Sequence, residues 1–332
     1  MERKLGGTGW SPPDLKITHL FPAKVQATGS CTPPTGEGIL PLMSSVATEA
    51  LPARRAYHDH IVDTLIAERA PKLSGGMAWP IVRPLLYRLL DYRKARAMAD
   101  AIAPMGGRQA LDYVSDLLDV KVSVRGLERV PATGRLVPIC NHPTGIADGI
   151  AVYDALKGLR PDICFYANSD AHRVSPNFGE VLIPVEWKAA RRTREHTRNT
   201  LNLTREALEA ERPLVIFPAG RLARQGKDGV LAESPWMSSA LSIARKYEAP
   251  ILPLHLTGPW STLFHFFHGF SGELRDITLF HELLNKRGQQ FHLTIGPVVA
   301  PDRLDPDVTT ATEQLKAYVQ HVLPQHPDQA FA

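Results

Sequence analysis

The chain has 332 residues, 44% hydrophobic and 22% charged, with a formal net charge of +4. That length allows one large α/β domain or two modest ones, and no apolar run approaches the roughly 18 residues that a membrane-spanning helix needs. The basic residues are spread out, which argues against nucleic acid and leaves attraction to an anionic membrane surface open; Cys31, Cys140 and Cys164 have no metal-ligand spacing and fit free thiols in a reducing compartment.

Residues 1–42 are rich in Gly, Pro, Thr and Ser, show no sustained periodicity, and read as disordered or loosely ordered. They lack the charged start and apolar core of a secretory signal, and Met43, where more ordinary sequence begins, is an alternative start. An N-terminal helical region follows over 43–118. The spacing of Tyr57, Ile61, Leu65 and Ile66 predicts one helix between Ala53 and Ala70. A second helical stretch, Met77 to Ala103, has Pro80 and Pro84 near its front and sets Trp79, Ile81, Leu85 and Leu89 beside Arg83, Arg88, Arg93 and Lys94. That composition suits a helix lying in a membrane interface, and equally a helix packed on a core with a solvated basic side. Beyond Gly106-Gly107, Ala110 to Asp119 is a short helix.

The main domain is expected over 119–305. Val120 to Val124 alternates as a half-buried strand, and Arg135 to Cys140 is a short apolar run that reads as a buried one. The turn Asn141-His142-Pro143-Thr144-Gly145 then opens a helix over 146–157, and Asp162 to Asn168 is the next strand. This alternation predicts an α/β fold, a mainly parallel sheet flanked by helices, in which ligands bind at the carboxyl ends of strands. His142 and Asp148 sit at one such end. A neutral imidazole held by a carboxylate can take a proton from a hydroxyl attacking a carbonyl. No Gly-x-Ser-x-Gly elbow supplies an enzyme nucleophile, so the acceptor's own hydroxyl is expected to attack. The competing reading makes Asn141, Thr144 and Asp148 turn and capping residues and His142 a hydrogen-bonded core histidine.

Asn168 to Arg173 is a polar loop whose His172 is a rival base. Gly179 to Val185 is an apolar strand, Arg191 to Glu211 an amphipathic helix, and Leu214 to Phe217 a strand leading into Pro218-Ala219-Gly220-Arg221. Glu233-Ser234-Pro235-Trp236 precedes a helix from Met237 to Tyr247, with Trp236 expected in the core. Residues 250–255 form a strand; the aromatic run Trp260 to Phe267 is read as a buried helix or as the lining of an acyl site; Gln290 to Ile295 is the last strand. Residues 306–332 are expected to be a short polar helix and a frayed tail without chemistry.

The segment Asn141-His142-Pro143-x-Gly145-x-x-Asp148-Gly149 resembles the first motif of the glycerolipid acyltransferases, the 1-acylglycerol-3-phosphate type, in the branch that includes haemolysin-like and ornithine-lipid enzymes. Gly179 to Val185, Phe217 to Arg221 and Ala249 to His255 resemble the second, third and fourth motifs, in order. The family's usual spacing puts four residues between His and Asp, whereas this chain has five. Positions six apart lie about 240° apart on a helix, so the pair can meet only if Gly145 absorbs the extra residue in a non-helical turn. The resemblance implies a peripheral lipid-synthesis enzyme on the inner, cytoplasmic face of the cell membrane, moving an acyl group from an acyl thioester to a lysophospholipid or other lysolipid. No cofactor or metal is implied, only acyl-CoA or acyl-ACP (acyl carrier protein) as co-substrate. It implies His142 as general base, Asp148 as its orienting partner, and turn amides near Gly145 or Gly220 as oxyanion donors. Asn141, Gly145, Gly220, Arg221, Arg224 and Lys188 are the implied substrate-binding residues; Lys188, Arg191 and Arg192 are candidates for the second motif's cation. The third motif has Ala219 in place of the family's glutamate, with Arg221 and Leu222 where its threonine and arginine fall, which favours a head group other than glycerol phosphate. A thioester or lipid hydrolase and a non-catalytic lipid-binding protein are the alternatives.

Overall fold

The computed structural model describes residues 60–186, 192–225 and 231–332. The expectations for residues 1–42, Tyr57, Lys188 and Arg191 lie outside this range. Helix α1 (Ile61–Arg69) starts where the His60 ring accepts the Val62 amide at 3.2 Å, and it buries Val62, Leu65 and Ile66. A single turn, α2 (Pro71–Ser74), leads to α3 (Trp79–Leu89) and α4 (Tyr92–Ile102). The continuous helix expected from Met77 to Ala103 is therefore two. Asp91 breaks it, adopting a left-handed φ of 54° while its carboxylate holds Lys94 at 2.8 Å and His281 at 3.1 Å. Helix α5 (Gly107–Leu118) completes this region.

Strand β1 (Lys121–Arg125) and β2 (Val137–Cys140) precede α6 (Ile146–Leu156) and β3 (Cys164–Asn168). The polar loop expected after β3 instead contains a short helix, α7 (Asp170–Val174), before β4 (Leu182–Val185). Helix α8 (Arg194–Glu209) is capped by the Thr193 hydroxyl, which accepts the His196 amide at 3.0 Å. After β5 (Leu214–Val215) come a small antiparallel hairpin that the sequence did not signal, β6 (Arg224–Gln225) with β7 (Leu231–Ala232), then α9 (Ser239–Lys246) and β8 (Ile251–Thr257). The aromatic run folds as α10 (Thr262–His268), followed by α11 (Gly272–Asp276), α12 (Leu279–Leu284), β9 (Gln290–Ile295) and α13 (Val308–Ala317).

The sheet order β1-β9-β8-β2 continues through parallel bridges from Leu136 and Ile139 to Pro213 and Ile216 into β5-β3-β4. Strands β2, β8, β5, β3 and β4 run parallel; β9 is antiparallel to β8, and β1 follows β9. Alternate residues of β2 enter different cores. Leu136 and Cys140 join a cluster with Leu65, Met98, Val114 and Tyr153, under the N-terminal helices and α6. Val137 and Ile139 join one with Leu208, Leu241 and Leu315, under α8, α9 and α13. Strand β2 is thus buried on both faces, as a central parallel strand must be. The tail expected to fray is packed: Leu315, Val319 and Leu323 are fully buried, and the Tyr318 hydroxyl donates to the Gln329 carbonyl at 2.6 Å. Its apolar side chains, spaced for a helix that widens into a π-turn at Tyr318–Val322, complete the second core.

Candidate active site

At the end of β2 the chain leaves the sheet and spends His142 to Gly145 in a non-helical turn before α6 begins at Ile146. Gly145 has φ 113° and ψ −145°, a conformation that side chains oppose, and a Cβ there would lie 3.0 Å from Leu222. The turn absorbs the extra residue, so His142 and Asp148 meet: Nδ1–H of His142 donates to Oδ2 of Asp148 at 2.9 Å. The carboxylate only accepts, which fixes the proton on Nδ1 and leaves Nε2 with its lone pair free. Nε2 has no partner among the described residues.

Asp148 is 0% exposed. Its burial is offset by four hydrogen bonds: besides the imidazole, it accepts the amides of Thr144 at 2.9 Å and Gly145 at 3.0 Å and the Thr144 hydroxyl. The His142 ring packs on Phe217 with centroids 4.6 Å apart. Burial, and then the charges of Asp148 and Glu233, push the neighbouring Cys140 thiol well above its usual range. What this assembly can do chemically is take a proton at Nε2 and hold the resulting imidazolium against a fixed carboxylate.

Other candidates take different places. Asn141 is spent on the sheet, its amide donating to the Leu256 carbonyl at 2.9 Å and accepting the Leu256 amide at 2.7 Å, so it is not presented to a substrate. The amides of Gly145 and Gly220 do not serve an oxyanion. Gly145 donates to Asp148, and Gly220, with φ 61°, donates to the Phe217 carbonyl at 3.0 Å. His172 is half-buried: its Nε2 is enclosed without a partner among the described residues, and burial lowers its pKa. Arg192 donates to the Glu186 carbonyl at 2.9 Å at the exposed start of α8.

Arg221 is exposed and Arg224 half-buried, just after the Ala223 amide that donates to the His142 carbonyl at 3.1 Å. Neither has a hydrogen-bond or ion-pair partner among the described residues, and the Arg224 Nε is buried. Burial, then the charges of Arg275 and Arg221, depress the Arg224 pKa. Arg275 bonds Asp276 at 2.6 Å and the His268 ring at 3.1 Å. The sequence reading missed Arg275, and it missed a buried chain running from the Thr144 carbonyl to the Ser261 hydroxyl (3.2 Å), Lys286 Nζ (3.1 Å) and Glu282 (3.2 Å). The signal for that chain was the i, i+4 pair Glu282 and Lys286 on an otherwise apolar face. No group of three or more potential His, Cys, Asp or Glu metal ligands occurs among the described residues.

Residues 121–257, from β1 through β8 and including the His142 turn, match the family model described as Acyltransferase. This match, with the two relatives that follow, supports the glycerolipid acyltransferase family for this chain. This acyltransferase is similar to the lyso-glycine lipid O-acyltransferase of Phocaeicola vulgatus, 25% identical over 215 residues that cover 62% of this chain and 74% of that protein. It is also similar to the lyso-glycine lipid O-acyltransferase of Bacteroides thetaiotaomicron, 22% identical over 268 residues, covering 79% and 95%. Among solved structures it is similar to the 1-acyl-sn-glycerophosphate (LPA) acyltransferase PlsC from Thermotoga maritima, with 17% identity, a TM-score of 0.41, and coverage of 80% of this chain and 100% of that one.

Proposed function

We infer that this acyltransferase moves a fatty acyl group from an acyl thioester to the free hydroxyl of a lysolipid, with His142 as general base. The observation that carries the reading is the buried His142–Asp148 pair with Nε2 unengaged at the carboxyl end of a central strand. The acceptor hydroxyl gives its proton to Nε2 as its oxygen bonds to the thioester carbonyl carbon. Collapse of the tetrahedral adduct breaks the C–S bond, and the imidazolium protonates the leaving thiolate, so the histidine ends neutral. Asp148 orients the ring and stabilises the transient imidazolium.

Arg221, Arg224 and Arg275 gather positive charge that Asp276 offsets in part, which favours an anionic group on the acceptor or on the donor, acyl-CoA or acyl-ACP. The relatives are named for a lyso-glycine lipid, and a lysolipid of that kind is the acceptor we favour. The third motif's Ala219 and Leu222 argue against glycerol phosphate. Residue exposures of 99% at Met77, 81% at Ile81 and 71% at Leu85 line one side of α3 and its approach, beside Arg88, and support peripheral attachment to an anionic membrane surface such as the inner face of the cell membrane. Among the described residues no helix is long and apolar enough to cross a membrane.

The test is transfer of labelled palmitoyl thioester, on coenzyme A and on carrier protein, to a panel of lysolipids by wild type and His142→Ala. Labelled diacyl product that disappears in the variant supports the reading. Free fatty acid alone would make the protein a hydrolase, and undiminished turnover by His142→Ala would remove the histidine from the mechanism.

A further inference from the structure

Glu233 lies outside all four motif segments, yet its carboxylate reaches the main chain of the base. One oxygen accepts the His142 amide; the other accepts Trp236 Nε1 and Gln320 Nε2, both at 2.8 Å. Trp236 is buried on the second core, and Gln320 belongs to the π-turn beyond α13, between the buried Val319 and Leu323. Lys316, one turn earlier, lays its ammonium 3.4 Å from the Glu233 carbonyl and 3.2 Å from that of Ser234. On its other side the His142 peptide accepts the Ala223 amide. Two carboxylates thus hold this one residue. Asp148 fixes its ring, and Glu233 fixes its backbone through a charge-assisted bond.

An amide at the end of a strand has no ladder partner to hold it, and a base must sit within a fraction of an ångström of its proton donor. We propose that Glu233 is a positioning residue for His142, and that through Gln320 and Lys316 it makes the C-terminal helix and turn part of the active site. This rests on His142 being the base. Glu233 touches no reacting atom in this arrangement; it sets where Nε2 stands.

The experiment compares acyl transfer by full-length wild type, Glu233→Ala, Glu233→Gln, Gln320→Leu and His142→Ala, with melting temperature as the control for folding. Glu233→Ala is expected to lose kcat by about 100-fold, the scale of a misplaced catalytic group, with KM for donor and acceptor within about twofold. Glu233→Gln keeps an oxygen for the His142 amide but sets its NH2 group against Trp236 Nε1–H, so it should recover part of the rate. Gln320→Leu, which leaves that bond and removes only the link to the C-terminal turn, should lower kcat several-fold. If Glu233→Ala does not fold, the Gln and Gln320 variants carry the test. A Glu233→Ala rate within threefold of wild type beside an inactive His142→Ala would overturn the positioning role alone; an active His142→Ala would overturn the base reading instead. A loss seen only in KM, or no recovery with Gln, also counts against the proposal.

Discussion

Asp148→Asn separates the charge of the buried carboxylate from its shape. The amide oxygen can still accept from the amides of Thr144 and Gly145, now 2.9 and 3.0 Å from Oδ2, and the Thr144 hydroxyl can turn to accept from the new NH2 group. What disappears is the negative charge 2.9 Å from Nδ1 of His142. A hydrogen bond to a charged group contributes about 1.5–3 kcal/mol, and the Coulomb attraction of such a pair about 4 kcal/mol at an effective dielectric of about 20. Taking about 2–4 kcal/mol as the stabilisation of the imidazolium, and about 1.4 kcal/mol per tenfold, kcat should fall about 30- to 1,000-fold. KM should hardly move, because Asp148 is enclosed and is not presented to a substrate. The assay is labelled acyl transfer at saturating acceptor, beside thermal melting to establish that the turn survives. Because the two residues act as a unit, Asp148→Asn in a His142→Ala background should cost almost nothing more. A well-folded Asp148→Asn within threefold of wild type, or losses that multiply in the double variant, would refute the pair's role.

Three further outcomes follow from the packing. Lys286→Met leaves Glu282 buried beside an apolar side chain and should destabilise the protein by about 3–5 kcal/mol in urea unfolding; adding Glu282→Gln should restore much of it, and an unchanged midpoint in the single variant would mean the ion pair is idle. Ile81→Glu with Leu85→Glu should abolish cosedimentation with anionic vesicles while leaving the melting temperature within about 2 °C, since both side chains are exposed; persistent binding would place the membrane contact elsewhere. Cys140, buried and with its thiol held protonated by burial and two carboxylates, should resist alkylation at pH 8 until the fold is lost, and rapid labelling of its peptide in native protein would contradict the site as drawn.

The sequence held the centre of the site because the centre is local: a buried strand, a glycine able to take a positive φ, and a carboxylate in the first helical turn all lie within Val137 to Asp148. It could not hold Glu233, which reaches that turn only through tertiary packing and lies in no motif segment. Of the turn amides expected near Gly145 or Gly220 as oxyanion donors, those of the two glycines themselves are engaged for a related reason. A glycine in a turn signals backbone freedom, whereas the fate of its amide depends on which acceptor the fold brings, here Asp148 and Phe217. The break at Asp91 was hidden because helical periodicity continues on both sides of one left-handed residue. The C-terminal segment was undervalued because its polar residues look like solvent-facing charge, while Gln320 and Lys316 point to Glu233.

The seating of β2 between two cores also governs how the enzyme should lose activity. Its residues alternate between the cluster under the N-terminal helices and the cluster under α13, so neither layer can open without displacing the strand that carries His142. Local openings therefore offer no route to a disordered His142. Amides of β2 should exchange with solvent only through global unfolding, and denaturant should abolish turnover in the same transition that abolishes the fold. Helix α3, which buries only Leu86, belongs to the opposite end of that scale. It should exchange early, and on the proposed membrane role of this helix mild denaturant should release the protein from vesicles while the detached enzyme still turns over soluble substrate.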